Sequence, residues 1–301
     1  MKDAIYRTLG RAGETLEWFR HRARGARFSA DSPAPPGFDR TGLVSLQGVP
    51  AALRDAGGGL VFARYESVAH SLWRAQELTL FHAHWELLPA PLMDFGAGDG
   101  SFTAVLASKV AWAVDSDPDA LAAAGGLGIY ESVAKCTGSR IPLPDRSVRS
   151  VMSNSVLEHV DELDAVLAEI ARVLVPGGRL GLTVPLSRYT EHLTTWFGPR
   201  AAAAVNIESS HRNMMTRAEW LERLERVGFS PSVVREYQPD WFTYWYRMLR
   251  LLGPRGLGRV PGVQAACWRL WGGRWADMVR SSISETEDGA CLFVIAERSG
   301  T

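Results

Sequence analysis

The chain has 301 residues, 46% hydrophobic and 22% charged, enough for one large core with an appended element. Its 33 basic side chains balance 33 acidic ones, which argues against nucleic acid as a partner. Cys136, Cys267 and Cys291 are too far apart for a disulfide framework or a zinc spacing, no run of roughly 18 residues is free of charge, and the N-terminus lacks a secretory apolar core; a cytoplasmic protein without a membrane span is expected.

Residues 1–28 carry Lys2, Arg7, Arg11, Arg20, Arg22, Arg24 and Arg27 against Asp3, Glu14 and Glu17. Ile5, Leu9, Ala12, Leu16 and Phe19 recur at helical spacing, so a basic amphipathic helix is predicted. It packs on its own domain, on a twin subunit of a homodimer, or on a membrane surface. From Ser29 to Gly59, prolines and glycines read as an extended arm, and residues 1–60 are taken as an N-terminal extension. Arg64 to Phe81 reads as a helix with Val68, Leu72, Ala75, Leu78 and Phe81 on one face. His70 or Arg74 on it either faces the cofactor or substrate or only packs. His82 and His84 stand two apart, where helical side chains diverge; no metal is assigned.

The apolar run ending in Asp94-Phe95 reads as a buried strand, and Gly96-Ala97-Gly98-Asp99-Gly100 lets the chain turn sharply and approach a ligand before a helix opens at Ser101. A second strand, Ala111 to Asp115, sets a carboxylate where it can accept hydrogen bonds from both hydroxyls of a ribose. Glycine spacing alone also fits a dinucleotide site or a plain tight turn. Asp94 stands where dinucleotide folds carry an apolar residue, and the third glycine comes one place early; both point away from a dinucleotide.

Tyr130 to Cys136 and Val148 to Asn154 read as the third and fourth strands. Asp161 is placed to cap a helix from Glu162 to Val175, which Pro176-Gly-Gly178 ends, and Arg179 to Pro185 is the fifth strand. Thr216-Arg-Ala-Glu219 is a capping box opening a helix that stops at Gly228, with Ser232 to Tyr237 and Cys291 to Glu297 as strands six and seven. Between those strands, residues 239–290 form an insertion. Its segment Trp241 to Trp275 holds five of the chain's eleven tryptophans and six arginines with no acidic residue. Pro254 to Gly258 and Pro261-Gly262 divide it into a two-helix hairpin that caps the active site, binds a lipid-like or anionic substrate, or rests on a membrane.

Five blocks in fixed order, Asp94-Phe-Gly-Ala-Gly-Asp-Gly100, Asp115, Ile141-Pro-Leu-Pro-Asp145, Ser153-Asn-Ser-Val-Leu-Glu-His159 and Val173-Leu-Val-Pro-Gly-Gly-Arg-Leu180, resemble the class I S-adenosylmethionine-dependent methyltransferases, in particular the ubiquinone/menaquinone-type branch. The resemblance covers residues 92–185, with a weaker tail at 220–237 and 291–298. It implies an α/β, Rossmann-like, doubly wound seven-stranded sheet, mostly parallel with the last strand antiparallel, built from residues 61–238 and 291–301. It also implies S-adenosylmethionine as cofactor and S-adenosylhomocysteine as product. Asp94, Gly96, Ala97, Gly98 and Gly100 would meet the methionine moiety, Asp115 and Ser116 the ribose, and Asn154 with Ser155 the sulfonium. Where relatives usually hold the adenine with an acidic side chain, this chain has Cys136 followed by Thr137, Gly138 and Ser139, and a hydroxyl accepts more weakly than a carboxylate. Arg149 stands where relatives usually have Asp, a position that is commonly structural.

The expected activity is methyl transfer to a small-molecule or lipid-like acceptor, through oxygen, nitrogen or carbon. Glu158 and His159, just past the fourth strand, are candidates for the general base, and His192 and His211 are rivals. A purely structural Glu-His pair fits the sequence equally. Tyr189, Trp196 and Arg212, with Trp241 and Trp245 of the insertion, are candidate acceptor contacts. The alternative is a non-catalytic binding or scaffold protein on the same fold, using membrane or protein contacts.

Overall fold

Strands and helices alternate from Val68 onward, and in chain order they pack as one doubly wound sheet. The computed structural model describes residues 67–250, 263–284 and 286–300, so the expected N-terminal basic helix and arm lie outside the described residues. Helix α1 (Val68–Ala83) precedes β1 (Leu92–Phe95), α2 (Ser101–Leu106), β2 (Val110–Asp115), α3 (Pro118–Gly126), β3 (Tyr130–Lys135) and β4 (Val148–Asn154). There follow α4 (Leu163–Val173), β5 (Leu174–Pro185), α5 (Ser187–Phe197), α6 (Pro199–Ser209), α7 (Arg217–Arg226), β6 (Phe229–Tyr237), α8 (Asp240–Leu249), α9 (Val263–Ser282) and β7 (Cys291–Arg298).

The sheet order is β3-β2-β1-β4-β5-β7-β6. β1 to β5 pair in parallel, and β7 runs antiparallel to both β5 and β6. The order reverses between β1 and β4, so the carboxyl ends of β1, β2 and β4 open onto one crevice, where ligands bind in such sheets. Alternate strand residues feed opposite layers. Met93, Val151, Leu182 and Val294 pack under α4 and α7, against Ile170 and the fully buried Trp220. Leu92, Met152, Phe293 and Ile295 pack under α1, α5 and α6, against Phe81, Leu193 and Val205. A further cluster seats Phe242 of α8 and Trp275 and Val279 of α9 on Val68 and Leu72 of α1. The insertion is therefore a helical layer resting on α1.

Several boundaries differ from the sequence reading. α4 stops at Val173 because Leu174 already pairs with Val148, making β5 a long strand that includes Pro176-Gly-Gly178. Asp161 does not cap α4; the cap position is Glu162, without a side-chain bond, and Asp161 instead pairs with Arg212 at 2.8 Å. β6 starts at Phe229, with Pro231 tolerated at a register shift. The capping box of Thr216 and Glu219 is present at the start of α7.

Candidate active site

The turn after β1 is held from behind and open in front. Asp94, only 3% exposed, accepts hydrogen bonds from Thr103 Oγ1 (2.5 Å) and Tyr130 OH (2.6 Å), tying β1 to α2 and β3. Burial pushes its carboxyl up to about 6, against the pull of those two bonds. Gly96, Gly98 and Gly100 all have left-handed φ, at 74°, 56° and 77°. A Cβ on Gly96 would lie 2.3 Å from the Val156 side chain, and one on Gly100 would lie 2.7 Å from the Tyr130 ring. A Cβ on Gly98 would meet nothing within 4 Å, so the loop faces open space there. The Gly98 N–H donates to Asp115 Oδ2 (2.8 Å), and the Asp117 N–H to Oδ1 (2.9 Å). Asp115 is fixed yet partly exposed at the end of β2. An open glycine cradle beside a fixed acceptor fits a nucleoside cofactor.

Past β4 the site is built from side chains. Glu77 of α1 is fully buried and accepts from Trp73 Nε1 (2.8 Å), Arg74 Nη1 (2.6 Å), Asn154 Nδ2 (3.1 Å) and Ser155 Oγ (2.7 Å). Thr183 Oγ1 donates to Asn154 Oδ1 (2.7 Å), completing a link from α1 through β4 to β5. A cavity of about 170 Å³ adjoins this network, lined among others by His70, Trp73, Arg74, Ser155, Glu158, His159, Tyr189, His211, Tyr246 and Arg250.

Glu158 is 2% exposed, and its Oε2 has no hydrogen-bond partner among the described residues. Burial pushes its carboxyl up to about 8, with nearby Glu77 adding to the effect. His159 Nε2 lies 3.6 Å from Glu158 Oε1, while its Nδ1 is 3.3 Å from the Ser210 carbonyl. That carbonyl needs a donor, which assigns the proton to Nδ1 and leaves the lone pair on Nε2. The His211 ring centre is 5.4 Å from that of His159, and its buried Nδ1 has no hydrogen-bond partner among the described residues. Burial, then His159, pulls the His211 pKa down to about 4; burial also lowers that of His159. At neutral pH both imidazoles are uncharged. His70, in the cavity wall, is held down to about 3 by burial.

Comparison with known proteins agrees with this architecture. A putative sarcosine dimethylglycine methyltransferase from Galdieria sulphuraria superposes with a TM-score of 0.51 at 19% identity, over 81% of this chain and 95% of that one. A geranyl diphosphate methyltransferase solved in complex with S-adenosylmethionine gives 0.50 at 20% identity, over 75% and 84%. A model of the methyltransferase domain family matches residues 93–182. An uncharacterized methyltransferase of Mycobacterium avium is 32% identical over 214 residues, covering 64% of this chain and 81% of that protein. The chain belongs to the class I S-adenosylmethionine-dependent methyltransferases.

The methyltransferase brings Ser155, Glu158, His159, Tyr189 and His211 to one cavity. Asn154 is drawn into the Glu77 network instead. Thr137 and Ser139 are exposed past β3, on either side of buried Gly138, and Ser116 is exposed after Asp115. His192 is buried elsewhere, with Nε2 3.2 Å from Asp288 Oδ1 and Nδ1 3.4 Å from Thr243 Oγ1. Trp196 packs on Tyr244 at 4.9 Å and Trp241 on Phe242 at 5.9 Å, Trp245 is 50% exposed, and Arg212 is an exposed partner of Asp161. Neither His192 nor any of these four lines the cavity. Sequence reasoning missed Glu77, and named Tyr246 and Arg250 only as members of the Trp/Arg-rich insertion that caps the active site in one reading. Glu77 left a signal, a carboxylate in a largely apolar helix with Arg74 one turn before it. Composition did not single out Tyr246 and Arg250, because only the folding of α8 over α1 brings those two to the cavity.

Proposed function

We propose that this methyltransferase acts on an oxygen atom of a compact, polar acceptor seated in the cavity beside Glu158, His159 and His211. The carrying observation is two uncharged imidazoles and a buried carboxyl facing one small cavity. The phenols of Tyr189 and Tyr246, beside guanidiniums of Arg74 and Arg250 that are each already paired with a carboxylate, suit a polar acceptor with several oxygens. A volume of about 170 Å³ argues against enclosing a long-chain quinone or lipid.

Bound S-adenosylmethionine would supply a methyl group already activated by its sulfonium. The Gly96–Gly100 loop and Asp115 would hold it, with the Asp115 carboxylate accepting from the ribose. What remains for the chain is to align the acceptor and take up its proton. Tyr189 and Tyr246 orient the acceptor, and the Nε2 lone pair of His159 receives the proton. His211 and Glu158 set the position and polarity of that imidazole. Turnover is read as S-adenosylhomocysteine release against hydroxy acids, phenols and long-chain lipids. His159→Ala and His211→Ala should each slow it by roughly 100-fold while leaving cofactor affinity in calorimetry near wild type. Near-normal turnover in both variants would remove the reading.

A peripheral membrane contact has its own support. Trp245 of α8 and Leu270 and Trp271 of α9 are exposed at 50%, 70% and 42%, and no helix among the described residues is long and apolar enough to cross a membrane. Replacing all three by Gln should reduce sedimentation with anionic vesicles; equal partitioning of both proteins removes this contact.

A further inference from the structure

Glu158, His159 and His211 each offer one donor atom, and the three atoms lie within 4.8 Å of one another. Donors bound about 2.1 Å from one ion stand about 3 to 3.5 Å apart, so modest side-chain rotation closes the set. His159, with 41% of its side chain exposed, has room to turn. Two features of the trio are unexplained by the protein itself. Among the described residues, the buried Oε2 of Glu158 and the buried Nδ1 of His211 both lack a hydrogen-bond partner, an expensive state for polar atoms removed from water. A third feature is arranged as ligating histidines commonly are: Nδ1 of His159 faces the Ser210 carbonyl, which orients the ring with Nε2 toward the other two donors. The neighbouring cations are already matched, Arg74 by Glu77 at 2.6 Å and Arg250 by Glu208 at 3.1 Å.

We infer that Glu158, His159 and His211 bind a divalent first-row transition-metal ion, with the remaining coordination positions open to the cavity. Two imidazoles and one carboxylate favour zinc, iron, cobalt or manganese over magnesium and calcium, which prefer all-oxygen sets. The sequence reading assigned no metal to His82 and His84 and took Glu158, His159 and His211 only as candidate bases; His211 lies fifty-two residues past His159, beyond α6. The ion's role, unlike the site itself, rests on the oxygen-acceptor reading above. With the ion bound, Nε2 of His159 ligates it and no longer serves as the base; an acceptor hydroxyl on the ion has its pKa lowered and releases its proton to solvent. Acceptors with a second oxygen next to the hydroxyl, able to chelate, are then preferred.

The test uses the tag-free full chain, stripped with a chelator and titrated with Co2+ alone, followed by its visible absorption and by calorimetry. One equivalent per chain is expected, with affinity at least roughly 100-fold weaker in His211→Ala and in His159→Ala. Circular dichroism checks folding; should His211→Ala not fold, His159→Ala and Glu158→Gln carry the comparison. Absence of saturable uptake, or unchanged affinity in the folded variants, overturns the site. Co2+ uptake as expected without turnover of any oxygen acceptor overturns the acceptor reading and leaves the ion site standing.

Discussion

The proposed cofactor side of the cleft comes from one continuous stretch, Leu92 to Asp117, in which the turning backbone and one carboxylate do most of the work. The proposed acceptor cavity instead takes His70 and Arg74 from α1, Glu158 and His159 from behind β4, His211 from the connection between α6 and α7, and Tyr246 and Arg250 from α8 and its end. The first half depends on backbone shape and is sensitive to added atoms. The second depends on buried charge and is sensitive to altered partners. The glycine turn is therefore legible as a local motif, while the cavity is assembled from side chains that no local pattern constrains.

The largest effect should come from the network that joins the halves. Glu77→Gln removes the charge that Arg74, Trp73, Asn154 and Ser155 all donate to, and should cost about 3–5 kcal/mol in urea unfolding. A loss within experimental error would mean the acceptor side is a set of neighbours and not a network. On the cofactor side, Asp94 carries a carboxyl raised from 3.8 to about 6. The folded state thus holds this proton more tightly than the unfolded one, so Asp94 favours folding most below pH 3.8 and progressively less up to about pH 6. Asp94→Asn keeps an oxygen for Thr103 and Tyr130 and removes that slope. Its stability relative to wild type should rise by about 2 kcal/mol between pH 4 and 7, and a constant difference across that window would sink the assignment.

Asp115→Ala should weaken S-adenosylmethionine binding by about 2 kcal/mol, near thirtyfold, with little effect on the acceptor side. Unchanged affinity by calorimetry would take the ribose away from Asp115. The smallest effect is expected at Arg212. Its exposed pair with Asp161 should contribute under about 1 kcal/mol, and Arg212→Ala should turn over normally. A large loss of turnover there would extend the acceptor site beyond the cavity.

The same contrast explains what could be read from the sequence. The sheet, the glycine turn and Asp115 are written in local spacing, since a parallel strand needs a near-continuous apolar run and the turn needs glycine at left-handed φ. The Glu158-His159 pair was visible, but its meaning depended on His211, which meets it only through the path of α5 and α6. His192 and His211 were indistinguishable as loop histidines. The fold seats one under α8 against Asp288 and turns the other into the cavity. The end of α4 was misplaced for a related reason: Pro176-Gly-Gly178 breaks a helix in any context, but pairing of Leu174 with Val148 ends it sooner.

The four donors that converge on Glu77 also bear on traffic through the site. Two of them, Trp73 and Arg74, travel with α1, and two, Asn154 and Ser155, stand at the end of β4, so lifting α1 away would break two hydrogen bonds to a carboxylate at a cost of about 3–6 kcal/mol. An opening that expensive is rarely populated, and exchange on the timescale of turnover must use a cheaper door. α1 therefore serves as the fixed jamb of the cavity, and Tyr246 and Arg250 reach the cavity from the α8 layer that rests on it.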